Sequence, residues 1–312
     1  MHSLLILSRR ARDYHDLIAA AALPELLITS TSDLADAAAR SADFDLALGE
    51  PSLLRQLLPS LTALRWLQAT WAGVEPLLDP ALRRDYVLTN ARGVFGESMS
   101  EYVFAYLLAH ERHLIDKYRA QLEGRWDPTP HGTLRGKSIG LLGVGTIGAA
   151  IARTAKHFGM RVNGYTRESE GSPDVDTYFH GDGLRTFCGG LDYVVAVMPA
   201  TAQTRHLVDD DFLRALPPHA VFVNPGRGGI VYEPALAAAL REGRLAGAIL
   251  DVFEQEPLPP DHVFWRTPNL LITSHTAALS IPADIAPVFI DNYRRLLRSE
   301  PLKHRVDFDR GY

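Results

Sequence analysis

The chain has 312 residues, 46% of them apolar and 22% charged, a balance that suits a globular protein long enough for two domains, each with its own core. A formal net charge of −5, with no block of Lys and Arg, gives no basic face for nucleic acid. No apolar stretch approaches the ~18 residues of a membrane span, the opening MHSLLILSRR reads as a first strand and not a signal peptide, and Cys188, the single cysteine, excludes an internal disulfide and a cysteine-rich metal site, so the expected compartment is the cytoplasm.

Residues 1–96 alternate strand-like and helical runs: strands are predicted at 4–8, 44–48, 64–69 and 86–89, a helix at 13–22, and helical or turn segments elsewhere. This is the pattern of a small α/β domain with a parallel sheet. After the third of these strands comes TWAGVE, in which Trp71, Ala72 and Gly73 precede Pro76. Such a turn exposes backbone N–H groups suited to a small anion such as a carboxylate, and a purely structural turn fits the segment equally well. Trp71 beside it either shapes a pocket or packs in a core.

From Glu97 the texture changes. Ser98 to Glu101 has the S-x-x-E form of a capping box, and helix-compatible residues without proline or glycine continue through 102–122. Tyr102, Val103, Phe104, Tyr106, Leu107 and Leu108 crowd its start, more apolar surface than one domain face needs. The segment reads as a connector that also serves a dimer interface, with a plain buried helix as the alternative. His110-Glu111-Arg112-His113 is one residue short of the H-E-x-x-H zinc spacing and reads as a solvated face.

The stretch KSIGLLGVGTIG, residues 137–148, organises the second half of the chain. A strand at 138–142 runs into Gly143-Val144-Gly145-Thr146-Ile147-Gly148, and a helical pattern continues through 149–157. Gly143 allows the sharp reversal, Gly145 lets pyrophosphate approach bare backbone, and Gly148 lets the helix pack on its strand. A second strand at 160–165 ends in Thr166-Arg167, 23 residues past Gly143 at Thr166. An acid at this place would bind the ribose 2′-hydroxyl of NAD, whereas an arginine suits a 2′-phosphate. Thr166 and Arg167 therefore favour NADP(H), with NAD(H) possible and Arg167 as a surface residue stacking on adenine the alternative.

Further strands are predicted at 192–197, 220–224, 248–252 and 270–273, with a helix clearest at 233–242, which together make a doubly wound parallel sheet. A last helix at 281–299 returns the chain to the first domain. The division is then 1–97 with 281–312 for the smaller domain and 98–280 for the dinucleotide-binding domain.

In open α/β sheets the chemistry lies beyond the carboxyl ends of the strands. Three polar residues stand there: Arg227 in NPGRGG, Glu256 in DVFEQEPLP and His275 in TSHTA. An arginine fork matches the carboxylate of a 2-oxo acid, a histidine delivers a proton to a carbonyl oxygen as hydride arrives, and an adjacent glutamate favours the charged histidine. Singly, each could be a turn cap, a loop acid or a satisfied histidine; at successive strand ends beside a nucleotide motif they form a catalytic set.

The ordered motifs TWAGVE, GVGTIG, NPGRGG, DVFEQEPLP and TSHTA resemble those of the D-isomer-specific 2-hydroxyacid dehydrogenases, most of all the glyoxylate/hydroxypyruvate reductase branch. The resemblance implies a Rossmann cofactor domain with a smaller flavodoxin-like substrate domain, a homodimer formed through the cofactor domain, and reduction of a small 2-oxo acid to a D-2-hydroxy acid. It implies that Arg227 binds substrate, Glu256 supports the histidine and His275 is the acid/base. Substrate contacts are implied at Trp71, Ala72 and Gly73. Cofactor contacts are implied at Gly143, Gly145, Thr146, Ile147, Gly148, Thr166, Arg167, Met198, Pro199, Thr204, Asn224 and Asp251, with no metal. Ser274 stands where proline commonly precedes the histidine and Glu75 where aspartate is usual, which leaves substrate preference open. A nucleotide-sensing binding protein or corepressor on the same fold is the rival reading, although the chain lacks an evident peptide-docking insertion.

Overall fold

The computed structural model describes residues 1–311. The chain divides into two compact units, Met1–Val94 with Ser280–Tyr312, and Phe95–Leu279.

In the first unit β1 (His2–Leu7), α1 (Ala11–Ala20), β2 (Leu26–Thr31), α2 (Leu34–Ala39), β3 (Leu46–Gly49), α3 (Pro51–Leu57), β4 (Trp66–Ala69) and β5 (Val87–Thr89) follow in order. The strands form a wholly parallel sheet in the order β2-β1-β3-β4-β5, the flavodoxin-like arrangement. Leu4, Leu5, Ile6 and Leu7 are all fully buried, because helices cover both faces and every side chain of the strand then needs to be apolar. On one face Leu5, Leu7, Leu67 and Leu88 pack with Leu54 and Leu57 of α3. Strand β2 escaped the sequence reading: it is an edge strand paired only with β1, and its Thr and Ser residues break the apolar run that marks a central strand.

The second unit opens with α4 (Gly96–Glu111) and α5 (Leu114–Leu122), followed by β6 (Ser138–Leu142), α6 (Thr146–His157), β7 (Arg161–Tyr165), β8 (Thr177–Phe179), α7 (Leu184–Cys188), β9 (Tyr193–Ala196), α8 (Asp210–Ala215), β10 (Val221–Asn224), α9 (Glu233–Arg241), β11 (Gly247–Leu250) and β12 (Leu270–Ile272). All seven strands are parallel, in the order β12-β11-β10-β9-β6-β7-β8, so the connections run outward in both directions from β6 and β9. This is the doubly wound Rossmann order, and its switch point lies between β6 and β9. Side chains alternate between two cores. Tyr193, Val195, Val221, Val223 and Ile249 face Leu107 of α4 and Ile151 of α6, while Val194, Ala196, Phe222, Ala248 and Leu250 face Phe187, Phe212 and Leu236. Each fully buried side chain of this size contributes roughly 1.5–3 kcal/mol. Cys188 is buried in the second of these cores, and burial pushes its thiol up to about 12.

Four readings of the 97–122 segment need correction. The helix starts before the capping box, with Phe95 at the N-cap and no side-chain cap; Ser98 lies inside α4. It is also not continuous: the chain breaks at Arg112–His113, where His113 adopts φ 51°. The cause is Glu111, which is buried and not on a solvated face. Its carboxylate receives the Lys137 ammonium and the Tyr193 hydroxyl, and its carbonyl accepts the Gly132 N–H at 2.8 Å. Anchoring Glu111 inward forces the following residues to change direction. Finally, the crowded apolar start of α4 serves the core, since Val103, Phe104 and Leu107 are buried beside α6. The exposed apolar residues sit further on, at Leu114, Ile115, Tyr118, Leu122 and Trp126.

After the second unit α10 (Pro282–Leu297) rejoins the first. Phe289 stacks on Trp66 of β4 with centroids 4.9 Å apart, and the Tyr293 hydroxyl donates to the Pro24 carbonyl at 2.8 Å, so α10 seals the second face of that sheet.

Candidate active site

The nucleotide turn begins where β6 ends. Gly143 has φ 98°, its N–H donates to Tyr165 O at 2.9 Å, and a Cβ there would stand 2.9 Å from Met198 N. Only glycine fits this contact, which brings the loops after β6 and β9 together at the switch point. Gly145 is the N-cap of α6, and no atom lies within 4 Å of where its Cβ would be. Beyond that open space point the first-turn N–H groups of Thr146, Ile147 and Gly148, which have no partner within the helix and no side-chain cap. A bare backbone approach ending in unpaired donors at a helix N-terminus fits a dinucleotide pyrophosphate.

On the far side of that loop pair, Met198 is buried and supplies backbone to the wall facing Gly143, and Pro199 is exposed. Thr204 turns inward: its hydroxyl donates to Pro199 O at 2.7 Å and accepts from Thr201 N at 2.8 Å, so it shapes the loop. Thr166, at the end of β7, is nearly buried, and its hydroxyl donates to Ser169 O at 2.7 Å, curling the loop that carries the exposed Arg167.

Two of the cofactor residues expected from the resemblance have other work. Asn224 is 0% exposed; its Nδ2 donates to Arg227 O at 2.9 Å and its Oδ1 accepts Gly226 N–H at 3.1 Å. These bonds fix the turn that presents Arg227. Asp251, 1% exposed, accepts from Thr276 N at 2.8 Å, from Ala277 N at 2.9 Å and from the Thr273 hydroxyl. Those donors pin the 273–277 segment and leave the carboxylate a single remaining acceptor position. The sequence reading did not single out Tyr102 as part of this network; its hydroxyl pairs with Thr273 Oγ1 at 2.9 Å.

Arg227, Glu256 and His275 follow the neighbouring strands β10, β11 and β12. Arg227 is half-buried, with Nη1 donating to Gly226 O at 2.8 Å. The next residue, Gly228, touches the backbone of the following loop so closely that a Cβ would fall 2.0 Å from Phe253 C and O. That interlock ties the Arg227 turn to the loop bearing Glu256. Glu256 accepts Phe253 N–H through Oε1 at 3.0 Å and meets His275 Nδ1 through Oε2 at 2.7 Å. The loop is braced on its outer side by buried Glu233, which accepts Glu254 N–H at 3.0 Å and pairs with His262 at 3.1 Å. His275 sits at φ 55°, held there by its own N–H donating to Asp251 O at 2.8 Å.

The electrostatics follow from these contacts. The hydrogen bond that His275 gives to Glu256 raises it above the usual histidine range, against burial, which lowers it. Burial alone would raise Glu256, but the His275 and Phe253 hydrogen bonds and the positive charges of His275 and Arg227 together hold it below the usual carboxylate value. With Nδ1 committed to Glu256, Nε2 is the ring atom left to exchange a proton, a tautomer assigned from this network.

In the first unit, the turn after β4 has its carbonyls occupied: Trp71 O accepts Ala91 N–H at 3.1 Å and Ala72 O accepts Asn90 Nδ2 at 2.8 Å. The N–H groups of Ala72 and Gly73 donate to no acceptor among the described residues. Trp71 is exposed, not a core residue. Among the described residues no group of His, Cys, Asp and Glu could hold a metal ion, and no helix is long and apolar enough to cross a membrane.

Comparison with known proteins places these features in context. Residues 104–277 match the family described as D-isomer specific 2-hydroxyacid dehydrogenase, NAD binding domain. A glyoxylate/hydroxypyruvate reductase A of Salmonella heidelberg is 32% identical over 251 residues, 78% of this chain and 80% of its own length. Among solved structures, a D-isomer specific 2-hydroxyacid dehydrogenase family protein from Aeromonas salmonicida is similar with a TM-score of 0.95 and 41% identity, covering 99% of both chains. A D-isomer specific 2-hydroxyacid dehydrogenase from Xanthobacter autotrophicus, in complex with NADPH and MES, gives 0.88 and 32% identity, covering 100% of this chain and 99% of that one. An NADPH-dependent glyoxylate/hydroxypyruvate reductase from Sinorhizobium meliloti, in complex with NADP and sulfate, gives 0.86 and 28% identity over the whole of both chains.

Proposed function

The chain belongs to the D-isomer-specific 2-hydroxyacid dehydrogenase family, and on that footing we propose that it is an NADPH-dependent reductase of small 2-oxo acids, with glyoxylate and hydroxypyruvate the first candidates. The observation that carries this reading is the His275–Glu256 pair at 2.7 Å, one strand end from Arg227 in a domain with a bare dinucleotide turn. Bound nicotinamide would supply the hydride to the substrate's C2.

The protein's own groups do the rest. Arg227 pairs with the substrate carboxylate and draws charge toward the carbonyl oxygen. His275 gives its Nε2 proton to that oxygen as negative charge develops, and Glu256 stabilises the imidazolium beforehand. In the reverse direction neutral His275 takes the proton of the D-2-hydroxy acid. In the first unit the N–H groups of Ala72 and Gly73 are suited to a carboxylate, and the exposed Trp71 stands beside them. Asp251 keeps His275 aimed and offers its remaining acceptor position to the nicotinamide amide. Arg167, with the backbone around Thr166, receives the 2′-phosphate, a preference in line with the NADP-bound relatives. The chain acts as a homodimer through the α5 side of the cofactor unit, where Leu114, Tyr118 and Leu122 recur at i, i+4 and i+8 on one helix face.

The test is oxidation of NADPH and NADH, in parallel, with glyoxylate, hydroxypyruvate, pyruvate and phenylpyruvate. Faster turnover with NADPH and the two smallest hydroxylated or aldehydic acids is the expected result. Turnover favouring NADH would keep the reaction and remove the role of Arg167. Cofactor binding without turnover of any acid would leave a nucleotide-sensing protein as the better reading.

A further inference from the structure

Beside the Thr166 loop stands a group that the proposed reaction does not use. His180 immediately follows β8, and its ring stacks parallel to that of Tyr178, with centroids 6.4 Å apart and planes 6° apart. Its Nδ1 lies 3.0 Å from the Thr166 carbonyl oxygen and 3.1 Å from the Thr166 hydroxyl, while Nε2 lies 3.0 Å from Glu170 Oε1. The Thr166 hydroxyl already gives its own proton to Ser169 O. A backbone carbonyl and an ionised carboxylate are both acceptors only, so a ring that serves both must donate from both nitrogens. The arrangement is built for imidazolium; a neutral ring satisfies one side and abandons the other. Its neighbours agree, since Glu170 and the Thr166 carbonyl raise the basicity of His180, and Glu168 adds to the effect.

We propose that His180 and Glu170 act as a proton-operated selector that makes the preference for NADP(H) over NAD(H) depend on pH. The inference rests on the reading of Thr166 and Arg167 as the place of the 2′-phosphate. Glu170 and Glu168, on the loop after β7, are the charges that act on His180; Arg167 lies on the same loop and Asp182 in the turn that follows His180. With His180 charged, Glu170 is neutralised and tied back to the end of β8, so Arg167 meets an incoming phosphate with one competing anion fewer. When His180 loses its proton, the charge of Glu170 is left uncompensated on the short loop that also carries Arg167. A dianionic 2′-phosphate is then repelled, whereas the uncharged 2′-hydroxyl of NADH is not, and a freed carboxylate can even accept from it. Selectivity falls as pH rises.

The test is direct binding, free of turnover: dissociation constants of NADPH and NADH from their fluorescence on titration with the full-length protein, at intervals from about pH 6.5 to about pH 9. The upper part of this range keeps the 2′-phosphate dianionic, since such phosphates lose their second proton near pH 6. The ratio of NADH to NADPH dissociation constants should fall about three- to tenfold across the range, the size expected for one unit charge at a solvent-screened separation. In His180→Gln the ratio should not vary with pH. In Glu170→Gln it should stay at its low-pH value throughout, which separates loss of charge from damage to the loop. A ratio that is constant with pH in the wild type, or that still falls in His180→Gln, overturns the selector while leaving the 2′-phosphate site intact. Equal binding of the two cofactors at the lowest pH would instead overturn the assignment of Thr166 and Arg167, and the selector with it.

Discussion

Replacing Glu256 by Gln keeps the shape of the side chain and an acceptor for Phe253 N–H, and removes the charge that faces His275 at 2.7 Å. Two unit charges 4 Å apart interact by about 1 kcal/mol in water and about 4 kcal/mol at an effective dielectric of 20. The His275 side chain is 58% exposed and that of Glu256 34%, which puts the pair toward the screened end, at about 1–2 kcal/mol. Removing that charge lowers His275 back toward the ordinary histidine range. The signs differ for the two directions of reaction. Reduction of a 2-oxo acid needs His275 protonated, so kcat/KM falls as pH rises through its pKa, and in Glu256→Gln that fall should begin at lower pH. Oxidation of a D-2-hydroxy acid needs the neutral ring, so its rise with pH should also begin at lower pH. At mildly acidic pH the variant should therefore lose less, relative to wild type, in oxidation than in reduction. Profiles of kcat/KM in both directions, with thermal unfolding as a check on integrity, measure this. Profiles that keep their wild-type midpoints, or move to higher pH, would refute the pairing as the source of His275 basicity.

Arg227→Ala should lower kcat/KM for 2-oxo acids by roughly 10²–10³, the scale of one or two lost charge-assisted hydrogen bonds, while fluorescence titration gives near-normal NADPH affinity; a loss of less than about tenfold would remove Arg227 from the substrate site. Tyr118→Glu places a charge in the middle of the α5 apolar face, and light scattering should give the mass of one chain where the wild type gives two. A wild-type monomer would end the dimer proposal.

How much could be read in advance depends on how local each determinant is. Residues 4–7 and 139–142 are central strands covered on both faces, and burial writes itself into the chain as unbroken apolar runs. Strands β2 and β8 lie at sheet edges, so Thr and Ser enter β2, Thr enters β8, and the run disappears. The break after Glu111 has no local cause: its partners Lys137 and Tyr193 lie 26 and 82 residues further along, and no helical periodicity can register them. The strand-end positions of Arg227, Glu256 and His275 are visible because each lies in the short loop after an apolar run. The inward turn of Asn224 and Asp251 is not, because a polar residue at a strand end reads the same whether it faces a ligand or caps the next turn. Likewise His180 is one histidine after a strand too short to notice, and its meaning comes only from Glu170 and Thr166 across the loop.

The stacking of Phe289 on Trp66 has a consequence for the order in which the protein is made. Every strand of the first sheet emerges from the ribosome before α10, which covers its second face, has been synthesised. The whole of the second unit comes between, and at ~5–20 residues per second that interval lasts roughly 10–40 s. During it the Rossmann unit has all the chain it needs, while Trp66 and its neighbours wait with an uncovered apolar surface. The first domain to appear is thus the last to be completed, and premature termination within α10 would release a chain with a finished cofactor unit and a sticky, half-closed partner.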